Sequence, residues 1–360
     1  MNFHQPDYNQ LPKPLPAQAG DKKRYIGVAV FILLAVSLIY GASIYGIGAH
    51  EVEVSNDGDG TIWQKVANVF KASEKKQTIE NDPDYTMPKP EDDRWDLLVL
   101  GIRGKDSEDA DETGAMLSDT MIIISYDKKT GKTSMVSIPR DFYVRIYGEK
   151  MDKINSAYEI GVLRNNSLTF TKKLVSKITG VYIDSAVVID FSSFKKIIDD
   201  LGGIDVTLDR PFSEKQQWGY EFSLPAGTNH LDGENALYYA RSRFSSSDFD
   251  RAQRQQKVIM AVKDKTMTLN LLSDPIKTLS ILNTIRSNIE TDLNVWDVGS
   301  LLDLSEQFSG AGEKVKRYVI TTENLVYESH IQTDAGNLYV LLPNGDNLLQ
   351  IKQLFQDILK

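Results

Sequence analysis

From Trp95 onward, short runs of consecutive apolar residues alternate with segments in which apolar residues recur at helical spacing. The runs Leu97–Ile102 and Met121–Tyr126 are typical of buried strands. Thr133–Pro139 follows a turn over Asp127–Lys132, so it is predicted to be a third strand that pairs back on the second.

The next stretch predicts a strand, a helix and a strand over Ala186–Asp190, Phe191–Leu201 and Ile204–Leu208. A helix over Leu168–Thr179, ending at Gly180, precedes this unit. Strands that alternate with helices favour an α/β fold, and we expect a three-layer α/β/α sandwich with a mixed central sheet.

An uncharged apolar run, Tyr25–Gly48, lies near the start of the chain. It is long enough to span a bilayer core of about 30 Å. Basic residues precede it and acidic residues follow it, so the positive-inside rule predicts a single-pass cell-membrane protein whose N-terminus is cytoplasmic and whose catalytic domain is extracytoplasmic. A cleaved signal peptide is the alternative, because the run ends in small residues, although an ordinary signal core has only about 7–15 residues.

The predicted organisation is a cytoplasmic tail (1–24), a transmembrane helix (25–48), a stalk and linker (49–93), a core domain (94–264) and a C-terminal helical part packed on the core (265–360). Apolar residues at helical spacing in Leu271–Ile289 and Val295–Phe308, with a last helix near Leu348–Leu359, are the basis for the final part.

Charge and composition narrow the functions that the chain can have. The net charge is −9, which argues against nucleic acid as the main partner. The absence of cysteine excludes disulfides, thiol catalysis and thiolate metal sites. The sequence contains no GxSxG motif and no phosphate-loop motif, and its four histidines are scattered.

Candidate chemistry is concentrated in Ala236–Gln256, which holds four arginines. Asp232 is predicted to cap a helix over Gly233–Tyr239, and an extended segment after it would point Arg241 and Arg243 the same way.

A second helix is predicted to start within Ser245–Asp248, with a serine or Asp248 as its N-cap. Arg251, Arg254 and Gln255 then share one helix face. A helix N-terminus surrounded by guanidinium groups suits a phosphate group, although the arginines could instead pair with the chain's own acids on a solvated face.

Short polar motifs at the ends of predicted strands supply further candidate site residues, since ligand sites of α/β sheets lie at strand ends. SDT (118–120) precedes a strand, SIPRD (137–141) ends one, and KINSAY (153–158) opens a helix at Asn155 or Ser156.

In these phrases the chain resembles the LytR-CpsA-Psr family. The resemblance covers about Trp95–Lys265 and runs in order through SDTM (118–121), SIPRD (137–141), KINSAY (153–158), LGGIDV (201–206), LDGENALYYARSR (231–243) and DFDRAQRQQ (248–256).

The resemblance implies a phosphotransferase that takes a glycopolymer from a polyprenyl-pyrophosphate carrier and joins it through phosphate to peptidoglycan. It implies that Asp119 ligates Mg²⁺ and that Asp248 is the candidate base, with Arg140 and Arg241 also catalytic. The pyrophosphate-binding residues that it implies are Arg140, Lys153, Asn155, Arg241, Arg243, Arg251, Arg254 and Gln255.

Two positions depart from the family pattern. Arg103 stands where the family usually has an aspartate, and Leu117 replaces an arginine before SDT. The acid-rich loop Asp106–Glu112 could supply a substitute metal ligand, or Arg103 could take over part of the charge of the metal or of the missing arginine.

Two other functions stay open at this point: hydrolysis of the lipid pyrophosphate, and a non-enzymatic envelope regulator that binds the lipid. The lipid chain needs an apolar tunnel, although a plain core explains most apolar residues equally well. The tunnel candidates are Val187, Ile189, Phe191, Phe194, Ile197, Ile198 and Leu201.

Overall fold

A computed structural model describes residues 86–104, 114–268, 289–293, 315–333 and 336–360. The predicted cytoplasmic tail, transmembrane helix and nearly all of the stalk therefore lie outside the described residues. Among the helices inside these ranges, none combines the length and the apolar character that crossing a bilayer requires.

The fold is built from fourteen strands and six α-helices within the described ranges. The strands are β1 (Arg94–Ile102), β2 (Ser118–Asp127), β3 (Thr133–Ser137), β4 (Tyr143–Tyr147), β5 (Lys150–Lys153), β6 (Ser185–Ile189), β7 (Ile204–Leu208), β8 (Phe212–Glu214), β9 (Phe222–Leu224), β10 (Gly227–Leu231), β11 (Ile289–Thr291), β12 (Val315–Val319), β13 (Val326–Thr333) and β14 (Gly336–Pro343). The helices are α1 (Ala157–Leu163), α2 (Ser167–Thr179), α3 (Phe191–Asp200), α4 (Gly233–Arg241), α5 (Asp248–Thr268) and α6 (Leu349–Asp357).

Six strands form a central mixed sheet in the order β11-β6-β1-β2-β3-β12. The pairs β1–β2, β2–β3 and β6–β11 are antiparallel, whereas β1–β6 and β3–β12 are parallel. The mixed α/β class and the first three strands are therefore as predicted from their apolar runs.

A hydrophobic core lies on each face of this sheet, because successive residues of a strand point to opposite faces. Leu97 and Ile122 pack on the side of α3, α4 and α5. Leu98 and Ile123 pack on the side of α1, α2 and α6. Continuous apolar strands are thus explained by burial on both faces.

The strand predicted over Ile204–Leu208 is present, but it does not join the central sheet. This strand, β7, has the predicted bounds, but it pairs only with β10 in a separate two-stranded ribbon. Its burial alternates, with Asp205 and Thr207 exposed, so one of its faces is solvated. That alternation is typical of a half-buried surface strand and not of a central one.

Two of the helices expected in the C-terminal part fall almost wholly outside the described residues. Most of Leu271–Ile289 and all of Val295–Phe308 lie outside the described residues. In the part that is described, β11 and β12 join opposite edges of the central sheet, and β13 pairs with β14 as a hairpin. The predicted last helix is present as α6.

Helix α4 begins as predicted, since the Asp232 side chain accepts a hydrogen bond from the Asn235 N–H at 2.8 Å. It continues two residues further than expected, through Arg241, because the Ser242 N–H still donates to the Tyr238 carbonyl. The extended segment that would have aligned Arg241 with Arg243 is therefore not formed.

Two buried charges tie the last helix to the first strand. Arg94 forms a two-pronged ion pair with Asp96, at 2.6 and 2.9 Å, and donates to the Phe355 carbonyl at 2.7 Å. Ser125 donates to the same Asp96 carboxylate. The arginine fork thus satisfies a buried acid and caps α6 at once.

Asp184, directly before β6, gives the fold a pH-dependent stability. Burial raises its pKa to about 6, although its carboxylate accepts a hydrogen bond from the Asp96 N–H. A carboxyl whose folded pKa is raised destabilises the fold above that pKa, and the cost disappears as pH falls to the unfolded value near 3.8.

We therefore expect Asp184→Asn to raise the free energy of unfolding by about 1–3 kcal/mol at pH 8, because an amide keeps the acceptor without the buried charge. The gain should vanish below pH 4. Urea unfolding of the wild type and of Asp184→Asn, at pH 8 and below pH 4, measures this gain in stability. An equal gain at both pH values would contradict the role of Asp184 ionisation.

Candidate active site

A cavity of about 260 Å³ lies where the ends of β2 and β3 meet the N-terminus of α5. Four of its lining residues were predicted from sequence to be in a site with Arg140: Asp119, Asp248, Arg251 and Gln255. This cavity, called the charged pocket below, brings together phrases that are over 100 residues apart in the chain.

Arg140 lies at the centre of the charged pocket. Its Nη1 donates to Asp119 at 2.8 Å, its Nε donates to Asp248 at 3.1 Å, and Asp141 lies 3.5 Å away. Burial alone would lower the pKa of Arg140, but the carboxylates of Asp248 and Asp119 outweigh it and raise the pKa. Arg140 is therefore a permanent cation held between strand ends and helix.

Asp248 is the first residue of α5, and a serine caps the helix in its place. The Asp250 N–H donates to Ser247 Oγ at 3.1 Å, while Asp250 accepts from the Ser247 N–H at 3.0 Å. This reciprocal arrangement is a capping box. Because Ser247 and Asp250 satisfy the helix end, the Asp248 carboxylate can point into the pocket.

Arg251 supplies the second guanidinium of the charged pocket. It lies 3.2 Å from Asp248 and donates to the Asp119 carbonyl at 3.4 Å. Burial lowers its pKa, which the Asp248 charge opposes and the Arg140 charge reinforces. Its side chain is nearly fully buried, so it offers a desolvated cation to an anion that enters the pocket.

Gln256, which was not predicted, positions the helix that carries these groups. Its buried amide donates to Ser137 Oγ at 2.8 Å and to the Tyr318 carbonyl at 2.9 Å. It thereby ties α5 to β3 and β12. Its neighbour Gln255 donates to the Ala240 carbonyl at 3.4 Å and lines the charged pocket.

Lys153 and Asn155 lie behind the charged pocket. Lys153 Nζ donates to Asp141 at 2.6 Å, and Asp141 lines the pocket. The Asn155 N–H donates to the Arg140 carbonyl at 3.3 Å, so this buried residue supports the Arg140 backbone. Neither lines the pocket itself, and both could act on a ligand through their neighbours.

An apolar cavity of about 110 Å³ adjoins the charged pocket and shares Thr120 and Gln255 with it. Of the tunnel candidates, four line this cavity, and Val187, Ile197 and Leu201 are buried in the core instead. The four are Ile189, Phe191, Phe194 and Ile198.

Arg241 lines the same apolar cavity, with its guanidinium 4.0 Å from the Phe191 ring and 5.1 Å from the Trp218 ring. Arg243 lies close enough to Arg251 to influence its pKa, but lines neither cavity. The two arginines are thus separated because α4 includes Arg241 and ends before Arg243.

Arg254 faces away from the charged pocket. It donates to the Tyr239 carbonyl at 3.0 Å and to Ser246 Oγ at 3.0 Å, and a further bond reaches the Ser242 carbonyl. Its hydrogen bonds fix the loop between α4 and α5, so the structure places it as a support for that loop.

The hairpin β13–β14 contributes two residues that sequence patterns did not reveal. Glu328 and Tyr339 line the charged pocket, and the hairpin is held there by a bond from the Leu341 N–H to the Asp141 carbonyl at 2.9 Å. Burial and the Glu328 charge raise the pKa of Tyr339 to about 12. It is therefore a neutral hydroxyl at physiological pH.

The carboxylates of Asp119 and Asp248 are the oxygen donors that a divalent cation would need here, and both pair with Arg140. Within the described ranges, no three acidic or histidine side chains gather in a metal-binding group. Mg²⁺ is commonly held by one or two carboxylates together with substrate phosphates, and this donor set fits that mode. Arg103 does not line the charged pocket, and Asp106–Glu112 lies outside the described residues.

Comparison with known proteins finds one family model and several related proteins that match the chain. The model of the LytR_cpsA_psr family matches residues 61–356, so the similarity extends well past Lys265 through the C-terminal strands. The chain is 30% identical over 293 residues to the polyisoprenyl-teichoic acid–peptidoglycan teichoic acid transferase TagU of Bacillus subtilis (strain 168), covering 80% of this chain and 85% of that protein.

It is also 32% identical to a protein of the same name from Oceanobacillus iheyensis, over 79% of this chain and 84% of the relative. Among solved structures, the crystal structure of B. subtilis TagV superposes with a TM-score of 0.57 at 28% identity, covering 75% of this chain and 98% of that one.

We expect Arg254→Ala to lower the free energy of unfolding by about 2–4 kcal/mol, because it leaves buried carbonyls without a donor. Arg243→Ala is the matched control, since Arg243 is partly exposed, and it should change stability by less than about 0.5 kcal/mol. Urea unfolding distinguishes them. Equal losses would mean that Arg254 does not support the loop.

Proposed function

The chain belongs to the LytR-CpsA-Psr family, and from that premise we propose that it is a membrane-anchored phosphotransferase. It moves a glycopolymer phosphate from a polyprenyl-pyrophosphate carrier to peptidoglycan. The observation that carries this proposal is the charged pocket, in which Arg140 and Arg251 flank Asp248 beside an apolar cavity. The chemical class of donor and acceptor follows the names of the relatives, which are polyisoprenyl-teichoic acid–peptidoglycan transferases.

The two adjoining cavities match the two parts of such a donor. The pyrophosphate would bind between Arg140 and Arg251, where charge-assisted hydrogen bonds from guanidinium groups suit phosphate oxygens. The first part of the lipid chain would enter the apolar cavity lined by Phe191 and Phe194. Arg241, at the wall of that cavity, would contact the phosphate nearer the lipid.

Transfer then requires attack by an acceptor hydroxyl on the phosphorus atom that carries the glycopolymer. A new P–O bond forms to the acceptor, the P–O bond to the bridging oxygen breaks, and polyprenyl phosphate leaves. The hydroxyl proton passes to Asp248, and from there to solvent. Phosphoryl transfer depends on positioning and spread positive charge, which the two guanidinium groups supply.

Before the donor binds, Asp119 and Asp248 occupy the guanidinium donors of Arg140. Phosphate oxygens would replace part of these contacts, which would leave the Asp248 carboxylate able to accept a proton. We propose that Mg²⁺ is held by Asp119 and the phosphate oxygens, where it would offset their charge.

The location proposed for the enzyme follows from the sequence. Residues 25–48 would form the single membrane span with the N-terminus in the cytoplasm, and the α/β/α sandwich would lie outside, close to the lipid carrier and to peptidoglycan.

The test combines full-length protein in detergent, a polyprenyl-pyrophosphate-linked oligosaccharide, Mg²⁺ and a peptidoglycan fragment, with products identified by mass spectrometry. We expect a phosphodiester-linked adduct that Arg140→Ala abolishes. Free sugar phosphate without adduct would indicate a hydrolase, and lipid binding without turnover would indicate a receptor, so either result would overturn the proposal.

Asp248 and Asp250 lie in the same helical turn of α5, so substitutions of the two provide a test of the base and its matched control. Asp248→Asn should reduce turnover by about 10²–10⁴-fold while donor binding persists, because the amide cannot accept the proton. Asp250→Asn should keep turnover at saturating acceptor and lower the melting temperature, since Asp250 belongs to the capping box. Equal turnover in both variants would remove Asp248 as the base.

A further inference from the structure

An open groove of about 810 Å³ runs along α5 on the side away from the charged pocket. The segment Leu208–Ser213 forms one wall, and the exposed side of α5 forms the other. None of the residues assigned to the transfer step lines this groove.

The groove and the charged pocket lie on opposite faces of the same helix. Asp248, Arg251 and Gln255 line the pocket, whereas Asp250 and Lys257 line the groove. At 100° per residue these two sets point in opposite directions, and a helix is only about 10 Å across.

The loop before α5 connects the two cavities. Ser246 lines the groove and the next residue, Ser247, lines the charged pocket. A molecule that lies in the groove and extends over the helix N-terminus by one or two sugar units would therefore reach Asp248.

The lining of the groove suits a saccharide better than a polyphosphate. Three cations, Arg210, Arg254 and Lys257, line the groove against two carboxylates, Asp209 and Asp250, so the excess is a single positive charge. Arg254 already donates to the Tyr239 carbonyl, which leaves Arg210 and Lys257 as the cations that a ligand can meet. Hydroxyl groups and an amide add donors and acceptors without charge, from Ser213, Ser245, Ser246 and Gln253. Such mixed polarity matches hydroxyl and acetamido groups, and the cations can also meet carboxylates.

The floor of the groove is aromatic and held in place. Phe212 packs edge-to-face on Tyr239 with ring centroids 5.2 Å apart, and Arg254 lies 5.1 Å from the Phe212 ring. At the rim, Ser245 Oγ donates to Glu214 at 2.7 Å. A partly exposed ring on a fixed floor offers the flat apolar surface that the C–H face of a sugar needs.

The groove also lies on the correct side for the acceptor. The apolar cavity, which would hold the leaving lipid phosphate, is lined by Gln255, Val258 and Ile259, on the pocket face of α5 and further from its N-terminus. An acceptor that arrives over the N-terminus thus approaches from the side away from the leaving group, as in-line displacement requires.

We propose that this groove binds the acceptor, a peptidoglycan glycan strand. The inference rests on the proposed function and names the site of its second substrate.

The test uses full-length protein and two variants that alter the groove. Arg210→Ala/Lys257→Ala removes two cations from the groove, and Gln253→Trp fills it without a change of charge. The matched control, Lys173→Ala/Lys196→Ala, removes two cations from exposed positions of α2 and α3. The readouts are donor affinity, acceptor KM in the transfer assay, and direct calorimetric binding of a soluble peptidoglycan oligosaccharide.

We expect both groove variants to raise the acceptor KM and to weaken oligosaccharide binding by about tenfold or more. In Arg210→Ala/Lys257→Ala this corresponds to the loss of at least one charge-assisted hydrogen bond, and in Gln253→Trp the indole occupies the space of the ligand. Donor affinity should stay at the wild-type value, and the control should match wild type throughout. An acceptor KM unchanged in both groove variants would overturn the proposal, and so would a change in donor affinity alone, which would assign the groove to the donor glycan.

If the wild type transfers nothing, the proposed function fails, and oligosaccharide binding still decides the groove. Binding that the groove variants lose would keep it as a saccharide site, and no binding by the wild type would end the inference.

Discussion

The bridge from Asp119 through Arg140 to Asp248 is the interaction on which the site depends. It joins the start of β2, the segment that follows β3 and the first turn of α5 through one guanidinium group. A half-buried arginine without these partners would face a large desolvation cost, and two carboxylates this close would repel each other. Each member therefore needs the others, and the pocket is assembled before any ligand enters.

The same pairing means that an anionic ligand must exchange partners with residues already in place. Arg140 can keep its position through its backbone, which Asn155 holds, while its donors pass from carboxylate to phosphate. The ion pairs that are lost and the contacts that are gained are similar in kind, so the binding free energy is a small difference between their interaction free energies. Such a site releases its product more readily than one with unpaired cations.

Sequence patterns predicted the central strands, α2 and α3, because continuous apolar runs and local caps depend on neighbours in the chain. The residues expected together with Arg140 came from the motifs that resemble the family. They did not predict the partner of β7, the edge strands β11 and β12, or the contribution of Glu328 and Tyr339. Those features are decided by which distant segments meet, and no local spacing records that. Arg254 shows the same limit inside a single motif. By spacing it shares a helix face with Arg251, but its side chain donates to the Tyr239 carbonyl and therefore lies on the other side of the helix.

The edge strands have a consequence for how the domain is formed. β6 and β3 occupy the flanks of the four-stranded part of the sheet until β11 and β12 pair with them, and paired residues lie 100 or more positions apart in the chain. Until then both flanks present unpaired backbone groups, which invite pairing with other chains. Contacts so distant in sequence also slow folding. A chain of this protein in which the first four strands have already paired is thus open to misassembly until β11 and β12 arrive, and a chaperone that shields strand edges would act in that interval.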